Sequence, residues 1–290
     1  MTALDASRLR DGAECAVARS RGALILDLDP DLGSGLNDLE FEQARRTCRA
    51  NVIHLSPGSW ALPCKSPGDR EVFAVVITEG ILSRETVLAG RATLELLTAG
   101  DVLLPSTISR DLLPLGADVS LTVLSKLTAI ALGPSFLQSA TQWPCLMANL
   151  HHRLNEQQTR ATIQGLVLHL ARAEHRILLT LWLLAERCGR VTREGRLLPL
   201  GFTHEALSRI TAARRPTVSL ALKQLQSDGL LIMRPDGNAV LTPAAEQEIH
   251  NLADAHTGLS IGQCITLRPR RAPADHVADN RAGQARAAIA

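Results

Sequence analysis

The chain has 290 residues, of which 46% are hydrophobic and 21% charged, and its formal net charge is +2. That composition can supply two domains with cores of their own, and it excludes a chain that is disordered throughout. No run of about 18 uncharged apolar residues occurs, and no basic region followed by an apolar stretch begins the chain, so we expect a cytoplasmic protein that does not bind membranes. The six cysteines form no Cys-x-x-Cys pair, which argues against a zinc ribbon or a thioredoxin-type site.

The first 135 residues are predicted to form an antiparallel β-domain. They contain short apolar runs that are separated by turn residues such as Ser56-Pro57-Gly58, Ala89-Gly90 and Ala99-Gly100. Many short strands with frequent turns indicate a sandwich or a barrel. The runs cover residues 23–26, 51–55, 72–77 and 120–124, and one helix is expected near residues 37–49.

A heptad pattern in residues 136–172 predicts a long helix. Positions from Trp143 onward keep a 4-3 spacing over about four repeats, which indicates pairing with a second copy of the helix. Two of these positions are glutamines, which would set the register of a symmetric pair. The alternative is that the same positions pack on the β-domain, and one helix can do both. The positions are Trp143, Met147, Leu150, Leu154, Gln157, Ala161, Gln164, Leu168 and Ala171.

The stretch from Thr203 to Leu225 has the pattern of a helix-turn-helix. In its second helix Val218, Leu222 and Leu225 recur at helical spacing and would bury one face. Hydroxyls and cations remain on the other face, and such groups suit phosphates and base edges. Both helix starts are marked, because Thr203 can cap the first helix and Pro216 fits the first turn of the second.

Residues 173–245 are therefore predicted to form a winged helix-turn-helix domain. A helix near 176–186, apolar nearly all round, would be its scaffold. Apolar residues at 230–233 and 239–241 flank a Pro-Asp-Gly-Asn turn, which predicts a hairpin, or wing. Residues 172–235 carry eleven basic and five acidic side chains. We expect this positive excess to attract nucleic acid.

The last predicted segment is residues 246–290. A short helix is expected through about His256, and the Arg-rich stretch from Arg268 to Ala290 has no periodicity and is expected to be disordered. An inert tail is the favoured interpretation. Weak attraction to phosphates is the alternative.

Several quoted stretches match one protein family. Arg215-Pro216-Thr217-Val218-Ser219 and, after Leu225, Asp228-Gly229-Leu230 resemble the start of the recognition helix and the helix-to-wing joint of the Crp/Fnr family of bacterial transcription regulators. Leu28-Asp29-Pro30-Asp31-Leu32 and Gly100-Asp101 resemble stretches of family members that are uncharacterised. The resemblance implies an α+β fold: an antiparallel β-roll of the cyclic-nucleotide-binding type, a jelly roll, as sensor (1–135), a dimerisation helix (136–172) and the winged helix-turn-helix (173–245).

Three departures from that family change the expected function. After Gly100-Asp101 the chain continues Val102-Leu103-Leu104-Pro105-Ser106, and Asp111 follows Arg110, so the Gly-Glu and Arg-Ser or Arg-Thr pairs that hold a cyclic nucleotide are missing. Cys15 stands alone near the N-terminus, whereas iron-sulfur members need clustered cysteines. Leu220 replaces a second base-reading arginine, so the operator preference is expected to differ.

The resemblance implies a homodimer that reads a two-fold symmetric operator in double-stranded DNA and responds to an unknown signal. RNA polymerase is a further candidate partner. The expected DNA-binding residues are Thr203, Arg214, Arg215, Pro216, Thr217, Ser219, Leu220 and Lys223. No metal-ligand set is identified, because only His54 of nine histidines lies in the first 150 residues. No cofactor or catalytic set is identified either, because no Gly-x-Ser-x-Gly motif or Gly-rich phosphate loop occurs. We therefore do not expect an enzyme. The alternative is a dimeric protein-interaction module whose recognition helix no longer binds DNA.

Cyclic AMP is predicted not to bind this chain at physiological concentrations. Residues 100–110 contain neither the Gly-Glu pair that holds the ribose nor the arginine-hydroxyl pair that holds the phosphate. Isothermal titration calorimetry with cyclic AMP should therefore show no saturable heat. Micromolar binding at one site in the β-domain would contradict the prediction.

Overall fold

The computed structural model describes residues 18–61, 72–105, 117–198, 203–235 and 237–254. Two antiparallel sheets form the predicted β-domain, in the orders β1-β2-β9-β4-β7 and β3-β8-β5-β6, which confirms a sandwich-like fold. Their strands are β1 (Ala18–Leu24), β2 (Arg49–Leu55), β3 (Gly58–Trp60), β4 (Ala74–Glu79), β5 (Leu82–Leu88), β6 (Arg91–Leu97), β7 (Val102–Leu103), β8 (Asp118–Val123) and β9 (Leu127–Leu132).

Strand β9 is the centre of the first sheet and is buried along its whole length. One of its faces contributes Leu127 and Ala129 to the core between the two sheets. Its other face contributes Ile130 and Leu132 to a second core, beneath helices that cover the outside of the sheet. A strand that is covered on both faces has a continuous apolar sequence instead of an alternating one.

Four helices cover that outer face: α1 (Ile25–Leu28), α2 (Asp38–Thr47), α3 (Pro134–Ala140) and α4 (Pro144–Leu168). Helix α2 confirms the helix expected near residues 37–49. It starts with a capping box, in which Asn37 and Glu40 each accept the other's backbone N–H at 3.0 Å. The strand expected at residues 23–26 is only partly present, because β1 ends at Leu24. Ile25 and Leu26 are instead the first residues of α1 and are buried in the core on the outer face of the sheet.

The predicted long helix is present as α4, but most of its heptad positions serve the chain itself. The helix ends at Leu168, so Ala171 lies beyond it. Trp143, Leu150 and Leu154 belong to the core of the β-domain. The glutamines, expected to set the register of a dimer, also bond within the chain: Gln157 Oε1 accepts the Val102 N–H at 3.2 Å, and Gln164 Nε2 donates to Thr180 Oγ1 at 3.3 Å. Packing on the same chain therefore accounts for these positions.

Another face of α4 remains apolar and exposed in its C-terminal half. Ile163 is 39% and Leu166 is 64% exposed.

No helix among the described residues is long and apolar enough to span a bilayer.

The C-terminal part folds around a separate core. Its elements are α5 (Ala173–Cys188), β10 (Arg190–Thr192), β11 (Gly195–Leu198), α6 (His204–Ile210), α7 (Arg215–Ser227), β12 (Leu231–Met233), β13 (Ala239–Leu241) and α8 (Pro243–Asp254). Helix α5 confirms the predicted scaffold, and β12 with β13 confirms the predicted wing within a sheet of order β10-β11-β13-β12. One compact unit ends at Ile249 and a second begins at His250; the tail expected at 268–290 lies outside the described residues.

A buried carboxylate joins the two parts. Asp101, in the turn between β6 and β7, is 1% exposed. Its oxygens accept hydrogen bonds from Arg160 of α4 at 2.5 Å, from the Thr98 N–H at 2.8 Å and from Arg187 of α5. Arg187 also donates to the Leu96 carbonyl at 3.0 Å and to Thr98 Oγ1 at 2.8 Å. We call Asp101, Arg160, Arg187 and Thr98 the Asp101 junction.

We expect a large loss of stability when the carboxylate of the Asp101 junction is neutralised. Asp101→Asn would leave two partly buried guanidinium groups without their anion, so we expect a loss of about 2–4 kcal/mol of unfolding free energy in urea titrations. The matched control is Asp27→Asn, because the Asp27–Arg45 pair is 42% and 35% exposed and solvent screening should make its contribution to stability much smaller. Equal losses in the two variants would contradict the importance of burial at the junction.

Candidate nucleic-acid interface

Helices α6 and α7 form the predicted helix-turn-helix. Thr203 Oγ1 accepts the Ala206 N–H at 3.1 Å, which confirms the predicted cap of α6. Pro216 lies in the first turn of α7, where its missing N–H costs no hydrogen bond. Val218, Leu222 and Leu225 are buried in the core that α5 provides. The opposite side of α7 is thereby turned outward.

The turn between the two helices is held in an unusual backbone conformation. Ala212 has a φ of 50°, in the left-handed region that favours glycine. The neighbouring Thr211 is fully buried, and its hydroxyl donates to the Leu207 carbonyl at 2.6 Å. This packing holds the turn against a backbone cost of about 1 kcal/mol.

The expected DNA-binding residues share the outward side of this motif. All of them are exposed except Ser219, which is half-buried, and Leu220 is 69% exposed. Arg215, Ser219 and Lys223 follow one another at intervals of four along α7 and so form one stripe. None of the cations in the set forms an ion pair with another described residue. The set is Thr203, Arg214, Arg215, Pro216, Thr217, Ser219, Leu220 and Lys223.

Thr217 and Leu220 also border a groove on one flank of α7. The groove has a volume of about 690 Å³ and lies against the start of α5, with Arg172 and His175 among its lining residues. The apolar Leu220 side chain is therefore presented beside polar groups, at the edge of the exposed surface.

One residue of this surface was missed by the sequence analysis. His204, the first residue of α6, is exposed, and its Nδ1 lies 2.9 Å from Ser219 Oγ. Ser219 Oγ in turn lies 3.2 Å from the Arg215 carbonyl oxygen. The only sequence signal was its place directly after the capping Thr203.

Arg209 of α6 has a different role from the cations of α7. It contacts Glu85 of β5 and donates to Glu205 Oε1 at 3.1 Å. Burial acts to lower the pKa of Arg209, but the hydrogen bonds and charges of Glu205 and Glu85 outweigh it and raise the pKa above its ordinary value. Its charge therefore holds α6 on the β-domain.

A cavity of about 470 Å³ lies on the β-domain side of α6. Its walls come from β5, β6, β8, α4, α5 and the end of α6, and they are largely apolar. At one side Arg84 Nε donates to Glu95 Oε2 at 3.0 Å. Apolar lining residues include Leu94, Leu96, Leu168, Leu183, Leu184 and Ile210. No cluster of His, Cys, Asp or Glu suited to a metal ion is found within the described parts of the chain.

Comparison with known proteins identifies the C-terminal part. Residues 175–245 match the family model of the Crp-like helix-turn-helix domain. No curated protein matches the chain by sequence. The wing and α7 fall within the matched range, as does α5 from His175 onward.

Solved structures show the same fold over most of the chain. A cyclic nucleotide-binding domain containing protein from Listeria monocytogenes EGD-e is 19% identical, with a TM-score of 0.54 over 73% of this chain and 96% of its own. A CooA mutant from Carboxydothermus hydrogenoformans is 16% identical, with a TM-score of 0.52 over 70% of this chain and 87% of its own. FixK2 from Bradyrhizobium japonicum is 19% identical, with a TM-score of 0.51 over 70% and 96%.

Proposed function

We propose that this chain is a cytoplasmic, sequence-specific DNA-binding regulator of transcription. It joins a Crp-like helix-turn-helix domain to a cyclic-nucleotide-binding-like β-domain, in the fold of Crp/Fnr-type regulators. The observation that carries the proposal is the exposed side of α7. Arg214, Arg215 and Lys223 project from it while the opposite side is buried, as binding in a major groove requires. The proposed DNA-binding set is the eight residues expected from the sequence.

The alternative of a protein-interaction module rests on Leu220 alone. One exposed leucine is common at protein surfaces, and it can contact a thymine methyl group in the major groove. A recognition helix that had lost DNA binding would not be expected to keep three unpaired cations. No catalytic group is proposed.

The proposed operator has two-fold symmetry, because we propose that two copies pair through α4. The surface that supports this is the exposed apolar face with Ile163 and Leu166. The heptad residues Leu150 and Leu154 are poor probes of the dimer, because they belong to the core of the β-domain. RNA polymerase is a further candidate partner, for which we propose no contact surface on the described residues.

The signal is proposed to be sensed by the β-domain and transmitted through its contacts with α5 and α6. The Asp101 junction holds α5, and the Arg209–Glu85 pair holds α6. The apolar cavity of about 470 Å³ touches both helices. A change in this region would therefore reach the recognition helix through packed side chains.

Arg215 and Arg214 are predicted to contribute differently to DNA binding. Arg215 is proposed to contact a base, so Arg215→Ala should cost about 1–3 kcal/mol per half-site and relax the preference at one base pair. Arg214 is proposed to contact phosphate, so Arg214→Ala should weaken binding to all DNA sequences alike. It should also reduce the slope of log affinity against log salt concentration, the salt slope, by about one unit. Titrations on operator and scrambled duplexes at several salt concentrations measure both effects.

The two variants serve as each other's control. Equal losses on operator and scrambled DNA for Arg215→Ala would show that Arg215 does not read sequence. Failure of the unaltered chain to bind duplex DNA at low salt would overturn the proposed function and favour a protein-interaction module.

The dimer is predicted to depend on Ile163 and Leu166. Changing both to Glu places charges in the proposed interface without touching the core of the β-domain, so we expect monomers by light scattering and a severe loss of operator affinity. Leu39→Glu, at an exposed leucine of α2 that is 70% accessible, is the matched control and should stay dimeric. A dimeric Ile163→Glu, Leu166→Glu double variant would mean that the copies meet elsewhere.

A further inference from the structure

His204 and Ser219 join the first helix of the motif to its recognition helix. The Ser219 hydroxyl has a single proton. If that proton is donated to the Arg215 carbonyl at 3.2 Å, the hydroxyl oxygen must accept from His204 at 2.9 Å. His204 then carries its proton on Nδ1, and the lone pair of a neutral ring is on Nε2. The imidazole can gain a second proton without losing its bond to Ser219.

His204 lies at the start of α6, where the first helix of such a motif would meet the phosphate backbone of DNA. Ser219 lies between Arg215 and Lys223 on the exposed stripe of α7, so the imidazole that bonds to it lies beside this stripe. In helix-turn-helix proteins the recognition helix enters the major groove while the first helix crosses the phosphate backbone. An exposed ring at the start of α6 is therefore expected to approach a phosphate when α7 enters the groove.

We propose that His204 is a pH-dependent phosphate contact, an inference that rests on the proposed DNA binding. When protonated, it donates from Nε2 to a DNA phosphate while Nδ1 continues to hold Ser219. Histidine is the side chain that changes charge between pH 5 and 8. Operator affinity then rises as the pH falls through that range.

The charged surroundings of His204 determine the sign of this effect. Glu205, its neighbour on α6, is held by Arg209. On α7 the cations Arg215 and Lys223 lie one turn to either side of Ser219, and residues 199–202 carry no titratable group. The phosphates of bound DNA are anions, and an anion beside an imidazole favours its protonated form. Binding of DNA is thus coupled to uptake of a proton, and binding strengthens at low pH.

The test measures operator affinity at pH 6.0 and pH 8.0 over a series of salt concentrations. The unaltered chain should bind at least about threefold more tightly per half-site at the lower pH. Its salt slope should be steeper there by about one unit per half-site, since one more phosphate is neutralised.

Two variants separate the charge of His204 from its hydrogen bond. His204→Asn can still donate to Ser219 but cannot become charged, so it should match the unaltered chain at pH 8.0 and lose the gain at pH 6.0. His204→Arg is charged throughout and should bind tightly at both pH values. His152→Asn is the matched control, because His152 is an exposed histidine of α4 that pairs with Glu156, and it should keep the full pH dependence.

The outcomes distinguish this inference from the proposed function. Duplex binding at pH 8.0 with an unchanged pH response in His204→Asn would overturn the role of His204 and leave the DNA-binding function standing. A pH-independent affinity of the unaltered chain would do the same. Absence of DNA binding at both pH values would overturn both.

Discussion

The buried carboxylate of Asp101 is the interaction on which the arrangement of this chain depends. A carboxylate that is 1% exposed cannot lose its cationic partners without a large desolvation cost. Those partners come from α4 and α5, so the turn between β6 and β7 holds both helices. Gly100 makes the turn possible, because its φ of 89° lies in the left-handed region. The place of α5 on the β-domain follows from this charge.

Helix α5 is also the scaffold of the helix-turn-helix, and this gives the junction a functional meaning. The core that buries Val218 and Leu222 of α7 is built on α5. Any movement of α5 against the β-domain therefore carries α7 with it. The contact of Arg209 with Glu85 adds a second point of attachment, through α6. Two attachments on different helices restrict rotation of the motif more than either could alone.

The cations of the helix-turn-helix fall into two groups, which face different surroundings. Arg209 of α6 forms ion pairs with Glu85 and Glu205, and these pairs hold it to the rest of the protein. The cations of α7 remain exposed on the side away from the core. His204 stands between the two groups, bonded to α7 but placed on α6. The same residue types thus serve attachment on one helix and, in the proposed function, DNA recognition on the next.

The local features could be predicted from the sequence: the cap at Thr203, the helix near residues 37–49, the two faces of α7, the wing and the long helix. Each depends on residues within a few positions of one another, so periodicity and turn chemistry suffice to predict it. The partners of Asp101 lie 59 and 86 positions away, so they, like the central place of β9 in its sheet, depend on how the whole chain folds. The tertiary structure also decided that Gln157 and Gln164 bond within the chain instead of marking a dimer. A heptad pattern specifies that a face is buried, whereas the surface that buries it depends on how distant segments fold together.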